Sequence, residues 1–457
     1  MEKILFRSTN RKAPCVTFKQ ALLKGQAPDY GLYMPEIIPK IQKEKIKEFA
    51  HMLYYEVAFE IVKLFAQDEI PQKELLELCE QAYNFPVPVE KIDDKIYILY
   101  LDKGPTASFK DFAARLMARM MNWFASKEGI NLTVLVATSG DTGGAVADAF
   151  FGLGNIQVVV LFPLEEVTDM QRKQMTTLGE NISAVGVKGT FDDCQALVKR
   201  VFIDNEFSKK NLTSANSINF GRLLPQSVYY FKAYADIGDE SLIFSVPSGN
   251  FGNLMGGVFA REMGLAVKKF IVAVNENDEF PIFLETGNYK PVVPSKKCSS
   301  NAMNVGHPSN LARLVDLYGG WLTDERDANG NVIEKGVLKI TPDMEKLRRD
   351  FISFSISNRE VDEVIRNVYD KYKIMIEPHG AVGFAAALKA NYNGCVCCLE
   401  TAHPAKFPEK IREVLNMEPP VPDCLAWLME KKEKFTIIEN NYQQLKEFLY
   451  EISDTCS

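Results

Sequence analysis

The chain has 457 residues, 46% hydrophobic and 25% charged, with a formal net charge of −7. That length exceeds what one core usually supports, so two or three domains are expected in a globular protein. The acidic balance and the lack of a basic run argue against nucleic acid or an anionic membrane as the main partner, and no apolar run approaches the roughly 18 residues of a transmembrane helix.

The opening stretch MEKILFRSTNRKAP has no apolar core long enough for a signal peptide, so a cytoplasmic protein is expected. Residues 1–95 read as a mostly helical domain. IQKEKIKEFAHMLYYEVAFEIVKLF (41–65) is its clearest amphipathic segment, and FPVPVE (85–90) punctuates its end. The texture then changes. LTVLVA (132–137), QVVVLF (157–162), ISAVGV (182–187), LIFSVP (242–247), KFIVAV (269–274) and GCVCCL (394–399) are short, nearly continuous apolar runs. Strands buried on both faces of a parallel sheet look like this. Helical patterns at 142–151, 170–178, 190–203, 253–263 and 380–390 separate them. This alternation predicts an α/β architecture with parallel sheets, divided into a smaller domain over 96–210 and a larger one over 211–457, with chain crossovers between them. Residues 322–345, with Asn329-Gly330 as a hairpin turn, read as a surface excursion. The helices after 425 are expected to pack outside, without chemistry. Nine cysteines, an odd number that includes Cys395, Cys397 and Cys398 on one strand, suggest reduced thiols. No Cys or His pair stands at zinc spacing, so no metal is expected.

Two strand-to-helix junctions are unusual. In ATSGDTGGAVADAF, strand 132–137 feeds Thr138, Ser139, Gly140, Asp141, Thr142 and Gly143 into a helix. In SVPSGNFGNLMGGVFA, strand 242–247 feeds Ser248, Gly249, Asn250, Phe251, Gly252 and Asn253 into another. Ligands bind at the carboxyl ends of strands in open α/β sheets, and the amides of a helix start favour an anion. Neither junction is a P-loop or a Gly-x-Gly-x-x-Gly fingerprint, which counts against kinases and dehydrogenases.

The stretch GPTASFKDFAARLMARMM (104–121) carries a lysine at an unexpected angle. On a helix from Phe109, the residues Asp111, Arg115, Arg119 and Asn122 share a polar arc expected to face solvent, whereas Lys110 falls in the apolar sector. Ser108 is the expected N-cap and Asp111 the acid of a capping box. A lysine in a buried first turn is disfavoured as a cation by the helix dipole and by desolvation. The neutral amine attacks carbonyls. A carbonyl cofactor carrying a phosphate would use the lysine and one glycine turn, leaving the second turn for a substrate anion; pyridoxal phosphate is such a cofactor.

GPTASFKDF, ATSGDTGG, FDDCQALVK, SANSINFGRLLPQ, PSGNFGN, EPHGAVGF and ETAHPAKFP, in this order from about 104 to 410, resemble the motif series of the threonine synthase family. The resemblance implies a fold-type II pyridoxal-phosphate enzyme that converts O-phospho-L-homoserine and water to L-threonine and phosphate, acting as a monomer or homodimer. It implies that Lys110 is the Schiff-base lysine, that Gly249, Asn250, Phe251 and Asn253 wrap the cofactor phosphate, and that Thr401 meets the pyridine nitrogen. A neutral hydroxyl there should leave that nitrogen less protonated than an aspartate would. Ser139, Gly140, Asp141 and Thr142 would hold the substrate carboxylate and the cofactor face. Ser214, Asn216, Asn219 and Arg222 would take the substrate phosphate, with Lys173 or Lys188 as alternatives. His379, His403 and Glu377 are weighed as structural or supporting residues rather than proton donors, and Asp111 as a helix cap. The sequence departs from the family pattern at Ala107-Ser108, in place of Leu-Ala, and at Phe220, in place of Trp. A lyase giving a 2-oxo acid, or a dehydratase, would use the same cofactor.

Overall fold

Apolar runs of four to six residues form buried strands only if other strands and helices cover them, and here they assemble into two sheets. The computed structural model describes residues 3–66, 69–207, 210–327 and 330–454. A five-stranded parallel sheet runs in the order Thr436–Glu439, Ile182–Lys188, Ile156–Pro163, Leu132–Ala137, Leu212–Ser214. A six-stranded sheet runs in the order Phe351–Ser355, Phe270–Val274, Ile243–Pro247, Val396–Glu400, Ile96–Tyr100, Val89–Lys91. Its edge pair Val89–Lys91 with Ile96–Tyr100 is antiparallel and its other pairs are parallel. Alternate residues of the central strands enter separate cores. Phe244, Val246 and Val272 pack with helices Val228–Ile237 and Gly252–Glu262, whereas Ile243, Ile271 and Cys398 pack under Pro378–Ala390.

Sheet membership crosses the sequence divisions at 95/96 and 210/211. Ile96–Tyr100 belongs to the six-stranded sheet, and Leu212–Ser214 and Thr436–Glu439 to the five-stranded one. The pairings that decide this are long-range, and no local pattern reports them.

The amphipathic segment at 41–65 forms two helices, Lys43–Glu48 and Tyr54–Ala66, separated by a short 3₁₀ turn. Met52 breaks the run with extended backbone, and the Glu56 carboxylate accepts from the Leu53 amide at 2.8 Å to start the second helix. The C-terminal region is not merely external. Leu425 and Leu428 pack with Ala107, Met170 and Ala405. Helix Tyr442–Asp454 places Leu445 and Leu449 in the core beneath helix Phe191–Ile203. Trp321–Arg326 and Val332–Ile340 form an antiparallel hairpin as expected from the pattern, although Asn329 lies outside the described residues.

The lysine helix spans Lys110–Glu128 and ends at the left-handed Gly129. Its N-cap is Phe109 and carries no side-chain cap bond, so the expected capping box is absent. The Asp111 carboxylate instead takes the Thr106 amide at 2.9 Å and the Thr106 hydroxyl. The Ser108 hydroxyl is buried without a partner among the described residues. The cause is the preceding turn, in which Ala107 adopts φ +53 and Ser108 bridges to Ala402. The polar arc is withdrawn from solvent too, with Arg119 and Asn122 half-buried. Asp111 is 0% and Arg115 9% exposed, and the Arg115 guanidinium donates to the carbonyls of Ala82 and Gln81. Among the described residues the eight cysteines are free thiols, and no helix is long and apolar enough to cross a membrane.

Candidate active site

A cavity of about 720 Å³ lies at the carboxyl ends of strands Leu132–Ala137 and Ile243–Pro247, where Thr138, Ser139, Ser248 and Gly249 reach its wall. Lys110 and Thr401 face the same space. Two backbone bonds join the segments carrying them: the Phe109 amide donates to the Thr401 carbonyl at 2.9 Å, and the His403 amide to the Ala107 carbonyl at 3.0 Å. Lysine helix and Thr401 loop are therefore one rigid floor.

The Lys110 side chain is 13% exposed; its Nζ stands 3.5 Å from Asp141 Oδ2 and 4.4 Å from the centre of the Phe109 ring. Burial pushes the Lys110 ammonium down, Asp141 opposes this, and Lys406 and Arg222 add to it, so the group lies below the ordinary lysine range. Asp141 experiences the opposite. Burial raises its carboxyl, but Lys406, Lys110 and His379 outweigh burial and hold it well below the ordinary carboxylate range.

The turn after Ile243–Pro247 is shaped as an anion cradle. Phe251 sits in the left-handed region at φ +60, and helix Gly252–Glu262 starts immediately after it, aiming its free amides at the cavity. A Cβ on Gly249 would meet the Ala302 carbonyl oxygen and Met303 Cα, both at 2.9 Å. Two tyrosine hydroxyls, of Tyr229 at 2.6 Å and Tyr230 at 2.7 Å, donate to Asn253 Oδ1. They fix the amide so that its Nδ2, buried on the cavity wall, has no partner among the described residues. The Asn250 side chain donates to Ser217 Oγ at 2.7 Å and accepts the Ser309 amide at 2.5 Å, so it braces the turn while lining the cavity.

On the opposite side, Arg222 is 2% exposed and lines the cavity, with one nitrogen on the Ala215 carbonyl at 2.6 Å and its Nε without a partner among the described residues. Ser214 and Asn216 share that wall, as do Ser139 and Thr142 on the first glycine turn. Asn219 is corrected. Its amide is 0% exposed, donates to Leu22 and Ser214 carbonyls and accepts the Gly221 amide as the N-cap of Phe220–Leu223. No polar atom is left for a ligand. Gly140 and Asp141 lie behind the wall. A Cβ on Gly140, at φ +136, would strike the Gln171 amide, and the Asp141 carboxylate is taken by Lys406 at 2.8 Å and Gln171 at 2.9 Å. Lys173 and Lys188 point elsewhere, onto the Met429 carbonyl and Glu439.

Glu377 caps helix Pro378–Ala390, accepting the His379 and Gly380 amides, and also receives the Thr401 hydroxyl at 3.1 Å. His379 has both ring nitrogens engaged, Nδ1 with Glu377 at 2.5 Å and Nε2 with the Ala302 amide at 3.1 Å. His403 caps Pro404–Lys406 through Nδ1. His379 thus links Glu377 to Ala302 on the cavity wall, and His403 holds its own turn.

Sequence reading missed three contributors. Lys406 is fully buried beside Asp141, and its one signal was an ammonium within the apolar, proline-bearing run HPAKFP. The hairpin is a cavity wall through Leu322, Asp324 and Lys335 rather than a surface excursion. N-terminal residues Lys24, Tyr30 and Leu32 complete the mouth, where the Arg326 guanidinium lies 4.2 Å over the Tyr30 ring.

Two largely parallel sheets meet at an amine-bearing cavity, and the "Pyridoxal-phosphate dependent enzyme" family model matches residues 83–397, so the chain is a pyridoxal-phosphate-dependent enzyme of fold type II. The threonine synthase N-terminal model matches 5–83 and the C-terminal model 380–449. The chain is 38% identical over 448 residues to the threonine synthase of Haemophilus influenzae, covering 95% of this chain and 96% of that one. Against the Escherichia coli threonine synthase it is 38% identical over 416 residues, covering 90% and 91%. The crystal structure of PLP-bound threonine synthase from Brucella melitensis superimposes with a TM-score of 0.89 at 34% identity, covering 98% of this chain and 99% of that one. The yeast threonine synthase structure gives 0.87 at 31%, covering 98% of each. The chain belongs to the threonine synthase family.

Proposed function

We propose that the protein converts O-phospho-L-homoserine and water to L-threonine and phosphate, in the cytoplasm, as a monomer or homodimer. The observation that carries this reading is that two anion-suited places, the Gly249–Asn253 turn and Arg222, flank one buried amine in one cavity. A phosphorylated cofactor and a phosphorylated substrate need that arrangement.

The residues present fit pyridoxal phosphate. The unpartnered Asn253 Nδ2, with the amides at the start of Gly252–Glu262, would hold its phosphate, Lys110 its aldehyde and Thr401 its ring nitrogen. Bound there, the group supplies an electron sink for the substrate's Cα and Cβ. The chain supplies the rest. Ser139 and Thr142 offer hydroxyls to the α-carboxylate. Arg222, Ser214 and Asn216 orient the substrate phosphate and stabilise it as it leaves from Cγ. Lys110, as a free amine, is the base nearest the Cα proton and returns protons as water adds at Cβ. The Thr401 hydroxyl donates to Glu377, so it offers a ligand a lone pair rather than a proton.

The test is the visible spectrum of the purified protein with and without borohydride, alongside an assay for threonine, phosphate and 2-oxo acid from O-phospho-L-homoserine. Threonine and phosphate in equal amounts, with the reduced cofactor on the Lys110 peptide, are expected. A 2-oxo acid as main product would replace this reading with a lyase.

A further inference from the structure

Lys406 has no role in the reaction outlined above, yet it is 0% exposed, a rare state for an ammonium group. Its Nζ is 2.8 Å from Asp141 Oδ1 and donates to the Thr106 carbonyl at 3.1 Å. The second oxygen of Asp141 is 3.5 Å from Lys110 Nζ. Lys406 and Lys110 therefore share one carboxylate, with Lys406 and Asp141 buried and Lys110 at the cavity edge. An uncompensated charge is costly there, so the trio is most stable near neutrality. A single negative Asp141 requires one cation. Lys406 is the nearer, fully buried and held by a second acceptor, whereas Lys110 is farther away and opens on the cavity.

We propose that Lys406 is a positioning residue that neutralises Asp141 and so leaves Lys110 as a free amine able to take an aldehyde. The groups facing Lys110 are Asp141 from helix Asp141–Phe150, Lys406 from turn Pro404–Lys406, Arg222 from Phe220–Leu223 and Glu377 at the start of Pro378–Ala390. His379 faces Asp141 as a further cation-capable neighbour. Burial lowers the Arg222 guanidinium to about 10, so it keeps its charge near neutral pH, and Lys406 is the cation nearer to Asp141, at 2.8 Å against 3.5 Å for Lys110. Without Lys406, neutrality around Asp141 would fall to Lys110, which would become an ammonium.

Only the link to an aldehyde rests on the proposed reaction; the charge arrangement is testable in the full-length protein freed of cofactor. Reductive methylation with formaldehyde and dimethylamine-borane, from about pH 6 to pH 10, is followed by mass spectrometry of the Lys110 peptide. Lys406→Met should raise the labelling midpoint of Lys110 by about one pH unit or more, slowing labelling near pH 7 by about tenfold. Lys406→Arg should restore the parental midpoint, and Asp141→Asn should lower it. An unchanged or lower midpoint in a Lys406→Met protein with parental circular dichroism overturns the proposal. If that variant does not fold, an unchanged midpoint in Asp141→Asn overturns it instead. A wrong assignment of the reaction would show as a missing borohydride adduct and would leave these midpoints untouched.

Discussion

Replacing Gly249 by alanine probes the anion cradle with a single methyl group. The added Cβ would stand 2.9 Å from the Ala302 carbonyl oxygen and 2.9 Å from Met303 Cα. Both are backbone atoms, so neither can rotate aside, and the turn itself must yield by several tenths of an ångström. Overpacking of this kind costs about 1–3 kcal/mol. The displacement moves the amides at the start of Gly252–Glu262 and Asn253 Nδ2 off the anion. If the cost appears in the bound state, cofactor affinity falls roughly 5- to 150-fold. The assay is a spectroscopic titration of cofactor into the freed protein, with thermal unfolding in parallel. Gly154→Ala is the control, because nothing lies within 4 Å of its Cβ, and it should stay within about 0.5 kcal/mol of the parent. Unchanged affinity in Gly249→Ala would refute the reasoning that this turn cradles the phosphate.

Lys110→Ala should abolish turnover while the cofactor still binds non-covalently; normal threonine formation by this variant would remove the lysine from the chemistry. Arg222→Met should raise KM for O-phospho-L-homoserine by about 10- to 100-fold, the loss of a charged hydrogen bond, measured by initial rates. Equal KM values in parent and variant would place the phosphate elsewhere. Glu279 is 2% exposed with Oε2 unpartnered, and burial pushes its carboxyl up to about 8. A folded value above the unfolded one means the folded chain holds its proton longer, so stability falls as pH rises from about 4.5 to about 8. Glu279→Gln should therefore exceed the parent by about 2–4 kcal/mol near pH 8 and by little near pH 5, measured by denaturant unfolding. A parental pH slope in the variant would contradict this.

Much of the fold was legible because its signals are local. Leu132–Ala137, Ile156–Pro163 and Ile182–Lys188 coincide with apolar runs, and helices Asp141–Phe150 and Gly252–Glu262 start where glycine turns end. The buried angle of Lys110 was legible from the wheel, since helical geometry sets side-chain direction within one turn. The same wheel misassigned Asp111 and Arg115 to solvent. Polarity marks which residues need partners, not whether water or the carbonyls of Ala82 and Gln81 supply them. Asn219 was misjudged for the same reason, because its amide serves Leu22, Ser214 and Gly221.

By itself the sequence determined the α/β class, the two glycine turns, the inward lysine and, through seven ordered motifs, the family. Tertiary structure alone decided which strands share a sheet, that the hairpin and the N-terminal residues close the cavity mouth, and that Lys406 neutralises Asp141 beside Lys110. The physical reason is range. Periodicity, turn chemistry and capping act over a few residues. Strand pairing and the balance of buried charge depend on groups far apart in the chain, brought together only by packing.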